Sequence, residues 1–453
     1  MNTLPVVVVG AGPIGLAAAA QLRERGLTPV VFERGGSAGA AIAEWNHVRL
    51  FSRWGELIDP AARRLLDTTD WTAPDDDGYP SGQDWAENYL VPLAAALGDI
   101  VQLGTEVVGV ARRGRDRVVD AGRDTEPLSV HLRRADGTED RITAQAVIDA
   151  SGTWTTPNPL GGEGLPALGE RAAADVLEYR VPNLDDPKVR ARYAGKHIVI
   201  AGSGHSALTA IVALANLEKQ APGTRISWVL RRGDVGGAFG GGEDDQLPAR
   251  GALGLRAKAA VGDGLLTVVP GFRTATIEPP SEDGRVVLVS DTGARIDDVD
   301  RVVVLTGFRP DLSWLSEIRL GLDPVLQAPV ELAPLIDPNV HSCGTVYPHG
   351  VAELSHPEPN VFLVGMKSYG RAPTFLAMTG YEQVRSIAAA LAGDHEAAAR
   401  VELTLPETGV CGGAGVFDDP DTPTDTVDAE EATAGCCVAP AQALITLSAR
   451  AGG

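Results

Sequence analysis

A glycine-rich turn between an apolar strand and a helix occurs twice in this chain of 453 residues. The first is VVVVGAGPIG, at 6–15, and the second is HIVIAGSGHSA, at 197–207. Each is followed by an Ala-rich helical stretch and then by another apolar strand, TPVVFER or RISWVLRR. This order predicts two βαβ units, each of which can bind a dinucleotide at the N-terminus of its helix.

In the first turn, Gly10 permits the tight bend, Gly12 lets the backbone approach a pyrophosphate, and Gly15 allows close helix packing. Pro13 opens the helix, whose positive end then faces the anion. Glu33 ends the second strand, where a carboxylate can accept hydrogen bonds from the ribose hydroxyls of an adenosine. These residues predict a dinucleotide site.

The second turn has Gly202, Gly204 and Ala207 at the matching positions, and its second strand ends in Arg231 and Arg232. No acid stands at the ribose position. Guanidinium groups suit a 2′-phosphate, so the sequence favours NADPH over NADH. A simple surface charge is the alternative for this arginine pair.

The glycine turns, Glu33, their spacing and two small-residue turns together resemble the class B flavin monooxygenases. The small-residue turns are Ala150 to Gly152 and Thr306 to Gly307, so the resemblance covers roughly residues 4 to 395. It implies FAD at the first site and NADPH at the second. Met366 follows Gly365 where related disulfide reductases usually carry aspartate, and an apolar residue there is commoner in the monooxygenases.

The predicted fold is α/β, with two Rossmann-like domains, because the two small-residue turns indicate that the second domain is inserted into the first. We expect an FAD-binding domain at 1–155 and 308–395, an NADPH-binding domain with its connector at 156–307, and a cysteine-containing tail at 396–453. The residues expected to bind the cofactors are Gly10, Gly12, Pro13, Gly15, Glu33, Arg34, Val107, Ser151, Gly152, Gly202, Gly204, His205, Ser206, Ala207, Arg231, Arg232, Gly307, Gly365, Met366 and Thr374.

The resemblance also suggests an activity. NADPH would reduce the flavin, and the reduced flavin would form a C4a-(hydro)peroxide with dioxygen that oxygenates a small soft nucleophile. The F-x-G-x-x-x-H-x-x-x-[WY] signature of Baeyer–Villiger enzymes is absent ahead of the second turn, which argues against their chemistry. An N- or S-hydroxylase, a flavin reductase of a metal or thiol acceptor, and a non-catalytic sensor are the alternatives.

Two polar and aromatic segments are candidates for contact with the flavin, although core packing explains their aromatic residues equally well. The candidate residues are Trp45, Asn46, Arg53, Lys367, Tyr369 and Arg371. Pro373 with Thr374 predicts a helix start, and the positive end of that helix could face the flavin.

Stretches such as GMKSYGRAPTFLAMTGYEQVRS and LPETGVCGG resemble flavin-binding monooxygenases encoded in bacterial arsenic-resistance operons. Cys411, Cys436 and Cys437 would supply three thiolates, which suit trivalent arsenic or another soft metal. Incidental placement of these cysteines is the alternative. The sequence has no C-x-x-C or C-x-x-x-x-C pair, which argues against thioredoxin reductase chemistry.

The net charge of -21 disfavours binding to nucleic acid or to anionic lipid. No segment has some eighteen uninterrupted apolar residues, and the N-terminus does not resemble a secretory signal, so we expect a cytoplasmic protein without a membrane span. The expected partners are a small-molecule substrate and dioxygen, and a homodimer is left open.

Overall fold

The computed structural model describes residues 4–245, 247–279, 281–339, 348–373 and 375–403. These residues belong to one compact unit, Met1–Asp418. Its strands are β1 (Val6–Val9), β2 (Pro29–Phe32), β3 (Val101–Gln102), β4 (Thr105–Arg112), β5 (Leu128–Arg134), β6 (Glu139–Ala144), β7 (Ala146–Asp149), β8 (Leu177–Glu178), β9 (His197–Ala201), β10 (Arg225–Val229), β11 (Thr267–Val269), β12 (Thr274–Glu278), β13 (Val286–Ser290), β14 (Arg295–Val299), β15 (Arg301–Val304) and β16 (Val361–Leu363).

The helices connect and cover these strands, and a π-helical turn at Ala86–Leu90 joins α5 to α6. They are α1 (Pro13–Glu24), α2 (Ala40–Ala43), α3 (Trp54–Leu57), α4 (Pro60–Leu66), α5 (Gly82–Trp85), α6 (Val91–Leu97), α7 (Pro187–Arg190), α8 (His205–Gln220), α9 (Pro248–Gly262), α10 (Ala333–Ile336), α11 (Ala377–Leu391) and α12 (His395–Ala399). None of the helices described is long and apolar enough to cross a bilayer.

Two parallel sheets form the centre of the fold. The first has the strand order β16-β7-β1-β2-β3 and the second has the order β11-β10-β9-β15-β8. Parallel strands buried on both faces are usually apolar throughout, and all four residues of β1 and of β7 are buried. The expected α/β fold with two dinucleotide-binding sheets is confirmed.

Two smaller antiparallel sheets, β4-β5-β6 and β12-β13-β14, lie between parallel strands in the chain order. In β13, fully buried residues alternate with half-buried ones, because one face of the sheet packs on the core and the other is partly covered. The chain leaves the first sheet after β7, builds the second sheet, and returns to the first at β16. The domain boundaries given above remain predictions.

The two chain segments that connect the sheets run side by side. The backbone N–H of Asn158 donates to the carbonyl of Gly307 over 2.9 Å, and the N–H of Arg309 donates to the carbonyl of Thr156, also over 2.9 Å. Pro157 and Phe308 face each other in this antiparallel bridge. The segments leaving and returning to the first sheet are therefore joined to each other by backbone hydrogen bonds.

The helix predicted to start at Pro373 begins later, at Ala377, with Leu376 in an extended conformation at its N-terminus (ψ 144°). The ring of Phe375 packs edge-on against the ring of Tyr369, with 4.9 Å between centroids. The local proline signal was wrong about the start of the helix, because the extended backbone of Leu376 interrupts any helix that would begin at Pro373.

A buried ionic cluster fixes the start of β16 to the antiparallel sheet. Glu358 accepts from Arg112 through Oε1 (2.8 Å to Nη2) and from Arg123 through Oε2 (2.6 Å to Nη2). The three side chains are at most 6% exposed. Burial by itself would raise the pKa of Glu358, but the hydrogen bonds from Arg123 and Arg112 outweigh it, and the pKa is lowered.

Replacing Glu358 with alanine should strongly destabilise the protein, because two guanidinium groups would then be buried without an anion. We expect the free energy of unfolding to fall by about 3–5 kcal/mol, measured by chemical denaturation. The matched control is Asp283→Ala, which breaks the exposed pair with Arg285 and should cost less than about 1 kcal/mol. Equal losses in the two variants would contradict this assignment.

Candidate functional site

A cleft of about 1640 Å³ joins the two glycine turns. It is lined by Gly10 and Gly12 from the first turn and by Gly202 and Gly204 from the second. A typical small-molecule pocket has about 300–1,000 Å³, so this cleft can hold more than one ligand of ordinary size. Ligands of doubly wound α/β folds bind at the carboxyl ends of the strands, which is where both turns lie.

The middle glycine of each turn is required neither by its own backbone nor by packing. Gly12 (φ -80°, ψ -174°) and Gly204 (φ -84°, ψ 178°) are extended, a conformation open to any residue. A Cβ at either position would meet nothing within 4 Å. Glycine here keeps free the approach to a helix N-terminus, which fits a pyrophosphate bound against the backbone.

The glycines before and after these middle positions are required by the backbone conformation or by close packing. Gly10 and Gly202 have φ angles of +98° and +125°, which side-chain-bearing residues rarely adopt. A Cβ on Gly202 would lie 2.2 Å from the carbonyl oxygen of Leu305, and one on Gly15 would lie 1.9 Å from that of Gly10. These glycines let each turn, its helix and the neighbouring strand approach closely.

Glu33 is held at the edge of the cleft by backbone donors. Its two carboxylate oxygens accept from the N–H of Ala11 (2.8 Å) and from the N–H of Gly35 (2.7 Å). This arrangement fixes the carboxylate between the glycine turn and the end of β2. An adenosine ribose bound along the turn would find an oriented acceptor there.

Most of the residues predicted to bind cofactors line this cleft. They are Gly10, Gly12, Pro13, Glu33, Arg34, Val107, Ser151, Gly152, Gly202, Gly204, His205, Ser206, Arg231, Arg232, Gly307, Gly365 and Met366. Gly15 and Ala207 are buried in their helices behind the turns. Thr374 and the three tail cysteines, Cys411, Cys436 and Cys437, lie outside the described residues.

Of the six flavin candidates, Trp45, Lys367 and Arg371 line the cleft, whereas Asn46, Arg53 and Tyr369 do not. Arg53 is exposed and pairs with Asp77 over 2.9 Å. Tyr369 is only 1% exposed and belongs to the core under the cleft. The placement of these three residues at the flavin stays a prediction, although in this structure their side chains do not line the cleft.

Lys367 forms a buried ion pair where the first sheet meets the cleft. Its Nζ lies 2.7 Å from Oδ2 of Asp149 and donates to Oγ of Ser151 over 3.0 Å. Lys367 and Asp149 are 1% and 0% exposed. The ion pair therefore fixes the end of β7 to the loop that follows β16, on the floor of the cleft.

The loop at Gly365 is also held from below by side chains of α11. The Gln383 side chain accepts from the N–H of Gly365 (2.7 Å) and donates to Oγ of Ser368 (2.9 Å). Its amide nitrogen is also 2.8 Å from Nε2 of His349, which acts as an acceptor in this contact. Every one of these side chains is buried, so the loop carrying Met366 has a rigid support.

At the second turn, His205 begins α8 and meets the ring of Phe51 edge-on at 5.2 Å. Burial, together with the positive charge of Arg250, lowers the pKa of His205 to about 4. The imidazole is therefore neutral at pH 7. It can line a nucleotide site without adding charge to it.

An aromatic and cationic cluster in the middle of the cleft escaped the sequence analysis. The ring of Trp154 stacks on Phe308 with centroids 4.9 Å apart, and the guanidinium of Arg180 lies 4.2 Å from the Trp154 ring. The Trp154 indole N–H donates to Glu44 over 2.8 Å. Phe308 directly follows one small-residue turn and Trp154 comes two residues after the other, a signal that could have revealed them.

The fold and the cleft define a two-dinucleotide oxidoreductase. The profile of the family described as pyridine nucleotide-disulphide oxidoreductase matches residues 7–331, and the chain belongs to this family. It is an oxidoreductase, and its cofactors are FAD and NADPH. The resemblance to flavin-dependent oxidoreductases is thereby confirmed.

Among curated proteins, the chain is 30% identical over 203 residues to indole-3-pyruvate monooxygenase YUCCA1 of Oryza sativa subsp. japonica, a match that covers 45% of this chain and 43% of that protein. The match thus spans less than half of that relative's length.

Solved structures with the same fold include both reductases and monooxygenases. The bacillithiol disulfide reductase Bdr of Bacillus cereus superposes with a TM-score of 0.63 at 19% identity, covering 86% of this chain and 99% of that chain. A flavin monooxygenase from Stenotrophomonas maltophilia superposes with a TM-score of 0.54 at 23% identity, and the match covers 86% of this chain and 100% of that chain. The cadaverine monooxygenase DfoA of Erwinia amylovora, bound to FAD, superposes with a TM-score of 0.59 at 14% identity, and the match covers 90% of this chain and 99% of that chain.

The middle glycines supply a direct test of the two sites. Because Cβ atoms at Gly12 and Gly204 meet no protein atom, Gly12→Val and Gly204→Val should fold normally and lose only their ligands. We expect Gly12→Val to purify without flavin absorbance, and Gly204→Val to keep its flavin but to lose NADP⁺ binding in a calorimetric titration. Gly262→Val, which also meets nothing within 4 Å, is the control and should bind both.

The arginine pair at the end of β10 should determine the choice of nicotinamide cofactor. Arg231→Ala with Arg232→Ala is expected to raise the KM for NADPH by at least about tenfold and to leave that for NADH nearly unchanged, because only NADPH carries the 2′-phosphate. Steady-state flavin reduction with each cofactor measures this. An equal effect on both would refute the assignment.

Proposed function

We propose that this chain is an FAD- and NADPH-dependent monooxygenase of a small soft nucleophile. NADPH supplies two electrons, one atom of dioxygen is transferred to the substrate, and the other atom is reduced to water. The observation that carries the proposal is a cleft that joins the two glycine turns in a chain without a C-x-x-C or C-x-x-x-x-C pair. The first cysteine of the sequence is Cys343.

The absence of a C-x-x-C pair indicates which acceptor receives the electrons of the reduced flavin. A disulfide reductase of this family type passes electrons from flavin to a nearby thiol pair, and residues 4–339, which form most of the cleft, contain no cysteine. Dioxygen reaches a reduced flavin without a protein relay. The similarity to YUCCA1, named as a monooxygenase, supports the same conclusion.

Different residues of the cleft would bind different parts of the two cofactors. The N-termini of α1 and α8 would hold the two pyrophosphates, and Glu33 would hold the adenosine ribose of FAD. Met366 would present an apolar surface where reductases carry aspartate. FAD, when bound, supplies hydride acceptance and activation of dioxygen. The stacked rings of Trp154 and Phe308 would exclude water from the middle of the cleft, which protects the reduced cofactor from unproductive reactions.

Two classes of soft nucleophile are candidates. Trivalent arsenic is supported by the three thiols Cys411, Cys436 and Cys437, which match the preference of a soft centre for soft ligands. An organic amine or thioether is supported by the aromatic wall of the cleft. We also propose a cytoplasmic location, consistent with the family and with the lack of a spanning helix in the described residues.

Rapid-mixing reoxidation of the NADPH-reduced enzyme in oxygenated buffer tests the proposal. With arsenite or a thioether present, the oxidised flavin should return faster, and one oxygenated product should form per NADPH consumed. Reoxidation that is indifferent to both compounds, together with anaerobic turnover on a disulfide acceptor, would instead establish a reductase.

A cysteine variant separates the two substrate classes. Cys411→Ser with Cys436→Ser and Cys437→Ser should abolish the response to arsenite and leave that to the thioether intact, because only arsenic needs thiolate ligands. Cys343→Ser is the matched control and should change neither. An arsenite response that survives the triple substitution would remove the tail thiols from the mechanism.

A further inference from the structure

The charge of the cleft is opposite to that of the protein. Ten arginines and Lys367 line it against four acidic residues, although the net charge of the whole chain is -21. Part of this cationic excess is needed to neutralise the phosphates of FAD and NADPH. The question is which cationic groups remain after the protein's own acids and the two dinucleotide sites are taken into account.

Several cleft arginines have acidic partners within the protein. The pairs are Arg133 with Glu106 at 2.6 Å, Arg134 with Asp140 at 2.9 Å, Arg180 with Glu44 at 3.7 Å and Arg250 with Asp245 at 2.7 Å. Arg231 and Arg232 belong to the nucleotide site at the end of β10. Of the other four cleft arginines, Arg34 is expected to serve the first dinucleotide site and Arg49 donates to the carbonyl of Tyr79. Arg309 and Arg371 remain.

Arg309 is held only by neutral oxygens. Its Nε donates to Oδ1 of Asn158 over 2.5 Å, and its Nη2 donates to the carbonyl of Gly164 over 2.7 Å. No carboxylate among the described residues pairs with it. The guanidinium is thus fixed in direction by the connector segment while its charge stays uncompensated.

Arg371 is also held by neutral oxygens. Its Nε donates to Oε1 of Gln327 over 2.9 Å, and its backbone N–H donates to the carbonyl of Leu326 over 2.7 Å. In the part of the chain that the structure covers, neither of its Nη groups has a protein partner. Those donors are available to a ligand or to solvent.

Arg309 and Arg371 line the same cleft, where Arg309 is half-buried and Arg371 is exposed. Burial lowers the pKa of Arg309, and the charge of Arg371 lowers it further. Two like charges held in one cleft without an anion raise the energy of the folded protein. Binding an anion between them would relieve this repulsion.

The surroundings indicate what kind of anion fits. Arg309 directly follows Phe308, whose ring stacks on Trp154 in the same cleft. A compound that placed its apolar or aromatic part against these rings would bring an attached anionic group towards Arg309. Guanidinium groups bind carboxylates with two parallel hydrogen bonds, which favours this planar anion.

We propose that Arg309 and Arg371 form a carboxylate-binding subsite, so that the substrate is an organic acid whose sulfur or nitrogen atom is oxygenated. The role as substrate rests on the oxygen-transfer function proposed above, whereas carboxylate binding itself does not. Between the two substrate classes, this subsite selects the organic one, because arsenous acid is uncharged at neutral pH.

Benzoate and benzamide are suitable probes, since they have nearly the same shape and differ in charge. Each is titrated into the FAD-loaded enzyme in the presence of NADP⁺, with calorimetry and the flavin absorbance as readouts. We expect benzoate to bind at least about tenfold more tightly than benzamide, as expected for charge-assisted hydrogen bonds. In Arg309→Gln with Arg371→Gln, the two probes should bind equally.

The matched control is Arg141→Gln with Arg256→Gln, which removes the same charge from two exposed positions outside the cleft lining. It should keep the preference for benzoate. Equal binding of the two probes to the unmodified enzyme, or a preference that survives in the Arg309 and Arg371 variant, overturns the proposal. So does a variant that loses NADP⁺ affinity instead, because the arginines would then serve the phosphates of the cofactor.

An oxygenation assay distinguishes the carboxylate subsite from the monooxygenase function proposed above. The enzyme is assayed for NADPH-dependent oxygenation of (methylthio)acetate and of its amide, two thioethers that differ in charge. A preference for the acid that disappears in the Arg309 and Arg371 variant supports both proposals. Selective benzoate binding without oxygenation of either thioether would refute the monooxygenase and retain the subsite, now assigned to an acidic acceptor of electrons.

Discussion

Close contact between backbone atoms at the ends of neighbouring strands is the constraint on which the rest of this structure depends. A Cβ on Gly202 would lie 2.2 Å from the carbonyl of Leu305, and one on Gly10 would lie 2.9 Å from that of Ala150. Only glycine allows these approaches. They bring the N-terminus of a helix to the edge of each parallel sheet, and the whole cleft is built around these two edges.

The paired connector segments turn two separate edges into one site. Hydrogen bonds between Asn158 and Gly307, and between Arg309 and Thr156, join the outgoing and returning chain. The stack of Trp154 on Phe308 follows from this pairing, because each ring stands next to one of the joined strands. The same pairing places Arg309 in the cleft. Cofactor binding and the proposed substrate subsite therefore share one structural origin.

The sequence revealed those parts of the site whose chemistry is encoded locally. A glycine turn between strand and helix has a fixed spacing, so Gly12, Glu33 and Gly204 could be picked out from the sequence, and all three line the cleft. The directions of Tyr369 and Arg53 could not be predicted, because a residue in an irregular segment faces the cleft, the core or the solvent according to distant packing. Arg53, for example, turns outward to Asp77.

By itself, the sequence determined that the chain folds into two dinucleotide-binding units and belongs among flavin-dependent oxidoreductases, because backbone requirements at glycine positions leave a readable pattern. Tertiary structure alone decided which charges remain without partners. Glu358 meets Arg112 and Arg123 across more than two hundred residues, whereas within the described part of the chain Arg309 and Arg371 meet neutral oxygens. Such pairing depends on contacts between segments that are distant in the sequence. The electrostatic energy of each pair depends on the distance between the charges and on their burial. No local sequence pattern contains this information.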